Sequence, residues 1–285
     1  MMSEQSREPE LTWEQAVRWF RAQPGNESEV LSNYFDLPVR QAAERYAESE
    51  EFREVLRLLG NGAGRKILDL GAGNGIASLA LARHGWLVAA LEPDRSNEVG
   101  AGAIRALASE TGLPIEVVEE FGERLPFAAD SFDAIHARQV LHHAANLDTF
   151  VREMARVLKK GGRCLATREH VADDEQQLAA FRNEHPLHHL YGGEHAYPLQ
   201  RYLSAFSENG LRVIDSWGPI ESILNFFPGS EVERQIAKRQ VANRSYFRFG
   251  RLLSWSAAFR DEQLRRYTRR DQTPGRIFSF LVEKP

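Results

Sequence analysis

Short apolar runs alternate with longer amphipathic segments through the central part of the chain. Each run is followed by turn-forming residues or by a segment whose apolar residues recur at helical spacing. This alternation predicts an α/β domain, in which a parallel sheet carries helices on both faces. Ligands of such a sheet lie at the carboxyl ends of its strands. The predicted parallel strands are 66–70, 86–91, 115–119, 132–137 and 162–168.

Further periodic segments precede and follow this central part. Residues 11–20 predict one N-terminal helix, and residues 27–59 predict one or two more, with Pro38 as an interruption. Residues 197–209 predict another helix, and residues 211–217 alternate like a half-buried strand. The chain therefore carries a helical segment before the sheet and additional elements after it.

The first strand runs into a turn, residues 71–75, that has glycine at every second position. Glycine lets the backbone adopt positive φ and lets a ligand approach it closely. A helix follows from Ile76, so the segment forms the first half of a nucleotide-binding βαβ unit. A dinucleotide fingerprint requires a third glycine where Ile76 stands, and the spacing therefore disfavours a pyrophosphate ligand.

Two carboxylates flank this turn in the predicted fold. Asp69 comes directly before it, where a negative charge favours a cationic ligand. Glu92 ends the next strand, where a carboxylate can accept hydrogen bonds from both hydroxyls of a ribose. Together with the glycine turn, the two acids favour an adenosine ligand that lacks a pyrophosphate.

Composition narrows the class of protein. The chain has 285 residues, of which 42% are hydrophobic, which suits one large α/β domain with additions. Its net charge of −4 argues against a general nucleic-acid binder. Cys164 alone cannot form a disulfide framework. No apolar leader follows Met1 and no long apolar run occurs, so we expect a cytoplasmic protein without stable membrane insertion.

Four segments, in order, resemble the class I S-adenosylmethionine (SAM) methyltransferases. Residues 69–75 resemble their motif I, and Glu92-Pro93-Asp94 resembles their acidic motif II. Residues 123–135 and 150–163 are similar to the small-molecule branch that includes the ubiquinone and menaquinone C-methyltransferases. The resemblance implies SAM as cofactor and S-adenosylhomocysteine (SAH) as product. It also implies a seven-stranded, mostly parallel Rossmann-like sheet.

The resemblance further suggests a division of the chain. Residues 1–60 would form an N-terminal helical cap, which in this family often folds over the cofactor. Residues 61–217 would form the SAM-binding core. Residues 276–285 resemble the family's final antiparallel strand, which usually follows the preceding strand directly. Here residues 218–275 intervene as a helical insertion.

Cofactor contacts are expected from the glycine turn and from the ends of the strands. Family members often carry an Asp that bonds the adenine amino group, and this chain has Phe121 at that position. Phe121 could stack on adenine or pack in the core. Glu120 could instead accept the hydrogen bond from the amino group. Arg138 could pair with the SAM carboxylate or extend to the surface. The predicted cofactor-binding residues are Asp69, Gly71, Ala72, Gly73, Gly75, Glu92, Pro93, Glu120, Phe121, Gly122 and Arg138.

Candidates for catalysis and acceptor binding follow strands four and five. His143 is the preferred general base and His142 the second choice, although one could cap the next helix while the other packs. The His-rich segment 185–195 matches no strong metal-ligand pattern, so we expect it to line the acceptor pocket and expect no metal. The predicted acceptor-binding residues are Tyr34, Arg168, His170, His189 and Tyr191, with packing on the sheet as the alternative for Tyr34.

The insertion is strongly basic. Residues 231–276 contain twelve Lys or Arg and five Asp or Glu, with aromatic residues interleaved. This composition suits a lid that recruits an anionic small-molecule substrate, a solvated helical cap, or the interface of a homodimer. The sequence therefore predicts a SAM-dependent methyltransferase with a small or lipid-like, anionic acceptor. The rival hypotheses are an NAD-dependent oxidoreductase and a non-catalytic SAM-fold subunit or RNA-binding module.

Overall fold

A single seven-stranded sheet organises the molecule. The computed structural model describes residues 11–184, 186–191, 195–245 and 255–285. The strand order is β3-β2-β1-β4-β5-β7-β6; β1 to β5 pair in parallel, and β7 is antiparallel to β5 and β6. This confirms the predicted Rossmann-like fold. The strands are β1 (Lys66–Leu70), β2 (Leu87–Leu91), β3 (Ile115–Val118), β4 (Phe132–Arg138), β5 (Leu158–Val171), β6 (Arg212–Trp217) and β7 (Arg276–Glu283).

Helices cover both faces of the sheet. The N-terminal helices are α1 (Trp13–Ala22), α2 (Glu27–Ser32), α3 (Val39–Glu48) and α4 (Glu50–Leu59). Those of the central part are α5 (Ile76–Arg83), α6 (Ala101–Thr111), α7 (Leu147–Val157), α8 (Glu175–Glu184), α9 (Pro186–Tyr191) and α10 (Leu199–Glu208), with a 3₁₀ helix at Leu141–His143. The described part of the insertion contains α11 (Ile223–Phe226), α12 (Glu231–Ser245) and α13 (Ala257–Arg270).

The N-terminal segment contains at least one more helix than its periodicity predicts. Residues 27–59 form three helices, so the expectation of one or two was wrong. Pro38 precedes α3, as its missing N–H allows. Ser49 then adopts extended backbone angles, and its side chain accepts a hydrogen bond from the N–H of Phe52. Such an N-cap begins a new helix, which a count of apolar residues does not reveal.

Strand β5 begins earlier than predicted. The predicted strand starts at residue 162, but the observed one starts at Leu158, and Lys160-Gly161-Gly162 lies within β5 as an irregularity, between the pairs Phe132↔Leu158 and Ala134↔Arg163. The two glycines instead bond to the final segment: Gly161 donates to the carbonyl of Lys284, and Lys284 donates to that of Gly162. Pairing with a distant segment has no signature in the local sequence.

Two hydrophobic clusters fix the faces of the sheet. One face packs against α7 and α10, and the other packs against α3, α4 and α5. The insertion starts after Trp217 and returns at Arg276, and both positions lie at the carboxyl edge of the parallel strands. Cap, insertion and strand ends therefore meet at the edge where an α/β sheet binds ligands. In the described part of the chain, no helix is both long and apolar enough to cross a membrane.

Candidate active site

The glycine turn after β1 depends on left-handed backbone angles. Gly71, Gly73 and Gly75 have φ of 66°, 55° and 87°, which side chains with a Cβ disfavour. A Cβ at Gly71 would lie 2.6 Å from a methyl carbon of Val140, whereas one at Gly73 would meet no atom within 4 Å. The N–H of Ala72 donates to the carbonyl of Leu91 on β2. The turn is thus fixed on one side and accessible at Gly73.

Glu92 lies beside this turn. Its Oε2 accepts from the N–H of Gly73 at 2.7 Å, and its Oε1 accepts from the N–H of Asp94 at 2.9 Å. Burial raises the pKa of Glu92 to about 7, although both N–H donors act to lower it. Pro93 follows directly at the carboxyl end of β2. A carboxylate next to an accessible turn suits the two hydroxyls of a ribose.

Asp69 points into the protein rather than towards the turn's open side. Its carboxylate is buried and accepts from the hydroxyl of Ser78 at 2.5 Å. The other oxygen lies 3.0 Å from Nδ1 of His136 on β4. The carboxylate of Asp69, which was expected to favour a cationic ligand, is thus already bound by Ser78 and His136. His136 itself was missed, although a histidine inside a buried strand is an unusual polar feature that could have revealed it.

The end of β3 presents an exposed aromatic ring. Phe121 is 64% exposed, so the alternative that it packs in the core was wrong. Glu120 pairs with Arg124 and accepts from the N–H of Phe121 at 3.0 Å. A Cβ at Gly122 would lie 2.0 Å from the ring of Phe150, so this position requires glycine for packing. Adenine stacking on Phe121 stays a prediction.

Arg138 already has a carboxylate partner. Its Nε and Nη2 donate to Glu51 of α4 at 2.7 and 3.3 Å. Burial alone would lower the pKa of Arg138, but the attraction of Glu51 outweighs it and the pKa is raised. The alternative that Arg138 extends to the surface was wrong, because its side chain is only 10% exposed. Contact with the SAM carboxylate stays a prediction, in which Arg138 would be shared with Glu51.

Tyr34 connects three parts of the molecule. Its carbonyl accepts from the side-chain amide of Asn74 in the glycine turn at 2.8 Å. Its buried ring stacks on Phe227 of the insertion, with centroids 5.2 Å apart. The cap, the turn and the start of the insertion are therefore in direct contact. Tyr34 serves packing here, as one alternative held, and its contact with the acceptor stays a prediction.

A glutamate orients one of the two candidate bases. The backbone N–H of His142 donates to Oε2 of Glu169 at 3.1 Å, and its Nδ1 donates to the same oxygen at 2.7 Å. His142 is buried, whereas His143 is exposed. The ring of His170 lies 4.8 Å from that of His142. Glu169 is absent from the predicted site residues, although an acid at the end of a buried strand was the available signal.

The other acceptor candidates occupy different surroundings. Arg168 is buried beneath α11. His170 donates from Nδ1 to the carbonyl of Gly275 at 2.8 Å. Tyr191 packs against Trp13, and its pKa is raised by burial and then by the carboxylates of Asp94 and Glu92, which indicates that it lies near them. The side chain of His189 lies outside the described residues, as do residues 185 and 192–194.

Comparison with known proteins decides the family. The methyltransferase domain family matches residues 68–166. A ubiquinone biosynthesis O-methyltransferase of Agrobacterium fabrum is 31% identical over 191 residues, covering 63% of this chain and 74% of that protein. The chain belongs to the class I SAM-dependent methyltransferases. An uncharacterized methyltransferase of Bacillus subtilis, YcgJ, is also 31% identical, and the match covers 63% of this chain and 72% of YcgJ.

Solved structures show the same fold in this methyltransferase. A geranyl diphosphate C-methyltransferase from Streptomyces coelicolor, solved with Mg²⁺, geranyl diphosphate and SAH, has a TM-score of 0.58 at 12% identity. The likeness covers 98% of this chain and 91% of that one, and it concerns the fold alone. The family assignment makes SAM the cofactor and does not favour the rival NAD-dependent or non-catalytic hypotheses. The residues present fit SAM, since Gly73 leaves space and Glu92 offers a ribose acceptor.

Proposed function

We propose that this methyltransferase transfers the methyl group of SAM to a hydroxyl of a small, lipid-like and anionic acceptor. The observation that carries the proposal is the buried pair of His142 and Glu169 at the ends of β4 and β5. SAM supplies an electrophilic methyl group, and a hydroxyl must lose its proton to attack it efficiently. A general base is therefore needed for a hydroxyl acceptor and is unnecessary for a free amine.

The pair is suited to hold that proton. Because Nδ1–H of His142 donates to Glu169, the lone pair of the neutral imidazole lies on Nε2. The carboxylate also stabilises the imidazolium that forms when Nε2 takes the proton. This reverses the order of preference from the sequence, since His143 is exposed and His142 has the orienting partner. The histidine and its carboxylate thus act as base and positioning residue.

Two further observations support the chosen acceptor. The relative from A. fabrum is named an O-methyltransferase of ubiquinone biosynthesis, which favours a hydroxyl on a lipid-like molecule. The basic composition of residues 231–276 favours an anion, and the half-buried ring of Phe227, stacked on Tyr34, supplies apolar surface near the turn. Methyl transfer itself mainly requires alignment and exclusion of water, which the cap and insertion can provide.

Transfer of a labelled methyl group tests the proposal. The enzyme is incubated with methyl-labelled SAM and a panel of phenolic acids with and without lipid tails, each paired with the analogue that lacks the hydroxyl. We expect label only on the hydroxyl-bearing compounds. His142→Ala should lower turnover by a factor on the order of 10²–10⁴ and leave SAH affinity nearly unchanged.

His143→Ala is the matched control and should stay within a few-fold of the wild type. Glu169→Gln should lower turnover and change its dependence on pH, because the carboxylate no longer stabilises the imidazolium. Label on the analogues without a hydroxyl, or normal turnover in the His142 variant, would contradict hydroxyl methylation with His142 as base.

A further inference from the structure

Three charged side chains lie near one another between the cap and the sheet, and we call them the buried arginine cluster: Glu51, Arg138 and Arg168. Glu51 and Arg138 are in contact, and both influence the charge of Arg168. Glu51 and Arg168 are buried and the side chain of Arg138 is 10% exposed, so the cluster comprises two largely enclosed guanidinium groups and one carboxylate. Glu51 uses both of its oxygens for Arg138. The cluster therefore has a net charge of +1, which is unfavourable for buried groups.

Arg168 is the member without a carboxylate partner in the described chain. Its Nη1 lies 3.5 and 3.3 Å from the carbonyls of Leu224 and Phe227, and its Nε has no hydrogen-bond partner among the described residues. The residue is 9% exposed and has φ of 60°, an uncommon angle for a residue with a side chain. Burial lowers the pKa of Arg168 to about 10, despite the opposing influence of Glu51.

Two hydroxyls beside the cluster also lack partners. Tyr46 Oη and Thr167 Oγ1 are buried and make no hydrogen bond to any described residue. Tyr46 lies under Arg138, with its ring 5.6 Å from the guanidinium carbon, and Thr167 faces Arg138 in the register of β4 and β5. Most buried polar groups in proteins are hydrogen-bonded, so three unpartnered donors in one region indicate a ligand.

The position of Arg168 indicates the acceptor rather than the cofactor. It lies in the last part of β5, near the carboxyl end at Val171, and β5 is separated from β1 by β4 in the sheet. Neighbouring strands lie about 4.8 Å apart, so Arg168 is roughly 10 Å to the side of the glycine turn. Its guanidinium also lies over the ring of Phe227, with 6.0 Å between its carbon and the ring centroid. The insertion therefore closes one side of this site.

We infer that Arg168 binds an anionic group of the methyl acceptor, a carboxylate or a phosphate, with the hydroxyls of Tyr46 and Thr167 as further donors. The inference rests on the proposed function in that it assumes an acceptor bound at the carboxyl ends of the strands. A guanidinium presents several donors in a plane that matches the oxygens of both anions. The bound anion would balance the buried arginine cluster.

Binding of simple anions to the SAH-saturated enzyme tests the inference. Benzoate and inorganic phosphate are titrated by calorimetry at constant ionic strength, with chloride as the reference anion. We expect at least one of them to bind the wild type, and Arg168→Gln to weaken that binding at least about tenfold, the scale of losing charge-assisted hydrogen bonds. Arg57→Gln, which removes an exposed arginine of α4, should bind like the wild type.

Tyr46→Phe and Thr167→Val keep the inference testable if the Arg168 variant does not fold. Each removes a hydroxyl that has no partner among the described residues, so melting temperatures should not fall. We expect each to weaken anion binding about three- to tenfold. Unchanged anion binding in both folded variants would overturn the role of these hydroxyls and of the site as described.

Two other results would overturn the inference. If Arg168→Gln weakens SAH binding itself, the guanidinium holds the carboxylate of the cofactor. If neither anion binds the wild type better than chloride, the site does not take anions. Failure of the wild type to bind SAH would instead contradict the proposed function, so the two failures are distinguishable.

Discussion

Glu92 experiences opposing influences on its charge. Burial raises its pKa to about 7, the N–H groups of Asp94 and Gly73 lower it, and the carboxylates of Asp94 and Asp69 raise it further. In the free enzyme, this raised pKa adds a stabilising contribution that is complete below the ordinary value of 4.5 and is lost as the pH rises through about 7. Ribose hydroxyls can donate to both oxygens only when the carboxyl is ionised.

Affinity for SAH should therefore depend on pH through Glu92. Binding to the ionised form lowers the pKa and releases a proton, so affinity should rise with pH and level off above about 7. Below that value it should fall by up to about tenfold per pH unit. Calorimetry across this range measures it, with Glu92→Gln as a control whose profile should be flat.

The neutral variant Glu92→Ala gives the size of the interaction. It should weaken SAH binding by roughly 2–3 kcal/mol at neutral pH, the scale of charge-assisted hydrogen bonds. Equal affinities of wild type and variant would show that Glu92 does not bind SAH.

Motif spacing predicted where some candidate site residues lie in the fold, but not which residues they contact. Glu92 and the glycines are set by their distance from strand ends, which the apolar runs reveal. Asp69 has the same kind of position, but its partners Ser78 and His136 come from a helix and another strand, and spacing does not show them. Glu51 could have been found, because it falls on the buried face of α4 with Val55 and Leu58.

One carboxylate links helix α1 to the segment that follows β2, beside the predicted cofactor site. Arg18 and Arg21 both pair with Glu98, in the segment that follows β2, at 2.8 and 3.0 Å. The N–H of Leu11, just before α1, donates to the carbonyl of Leu190 in α9, which connects these two segments. These contacts are mainly near the surface, so the cap should open more easily than the sheet.

Glu98→Gln should loosen α1 and speed release of SAH. We expect dissociation about two- to fivefold faster, because partly exposed ion pairs contribute about 0.2–1 kcal/mol each. Stopped-flow displacement of SAH measures the rate. Glu54→Gln is the matched control, since its pair with Arg57 lies within α4 and joins no two elements. Identical rates in both variants would show that α1 does not limit release.

The order of elements was predictable, and several of their boundaries were not. Parallel strands buried on both faces read as apolar runs, which located β1 within its observed bounds. The extra N-terminal helix depends on the cap at Ser49, and the early start of β5 depends on pairing with Lys284. Both are set by hydrogen bonds that leave hydrophobic periodicity unchanged.

Across the whole molecule, cap and insertion converge on the carboxyl edge. The insertion leaves and re-enters the sheet at this edge, and its Phe227 stacks on Tyr34, which bonds to the glycine turn. The opposite arrangement, with the start of the insertion on the far side of the sheet, would have favoured a dimer interface over a lid. Closure of an acceptor site by the insertion is therefore our proposal for this region.

Deletion of residues 231–270 should abolish methyl transfer without abolishing cofactor binding. It should leave SAH affinity within a few-fold but abolish methyl transfer, because the lid selects the acceptor and excludes water. Calorimetry and transfer of labelled methyl groups measure the two effects. For the intact enzyme, KM for an anionic acceptor should rise with ionic strength, since exposed charges are screened beyond about 8 Å at physiological salt. Full transfer activity in the deletion variant would contradict the lid.

A crystal structure of the enzyme with SAH tests the central claim most directly. We expect both ribose hydroxyls within hydrogen-bond distance of Glu92, the backbone of Gly73 against the ligand, and the sulfur facing the ends of β4 and β5, where His142 and Arg168 lie. SAH bound elsewhere would contradict this site, as would SAH held here while Glu92 bonds only to the N–H groups of Gly73 and Asp94.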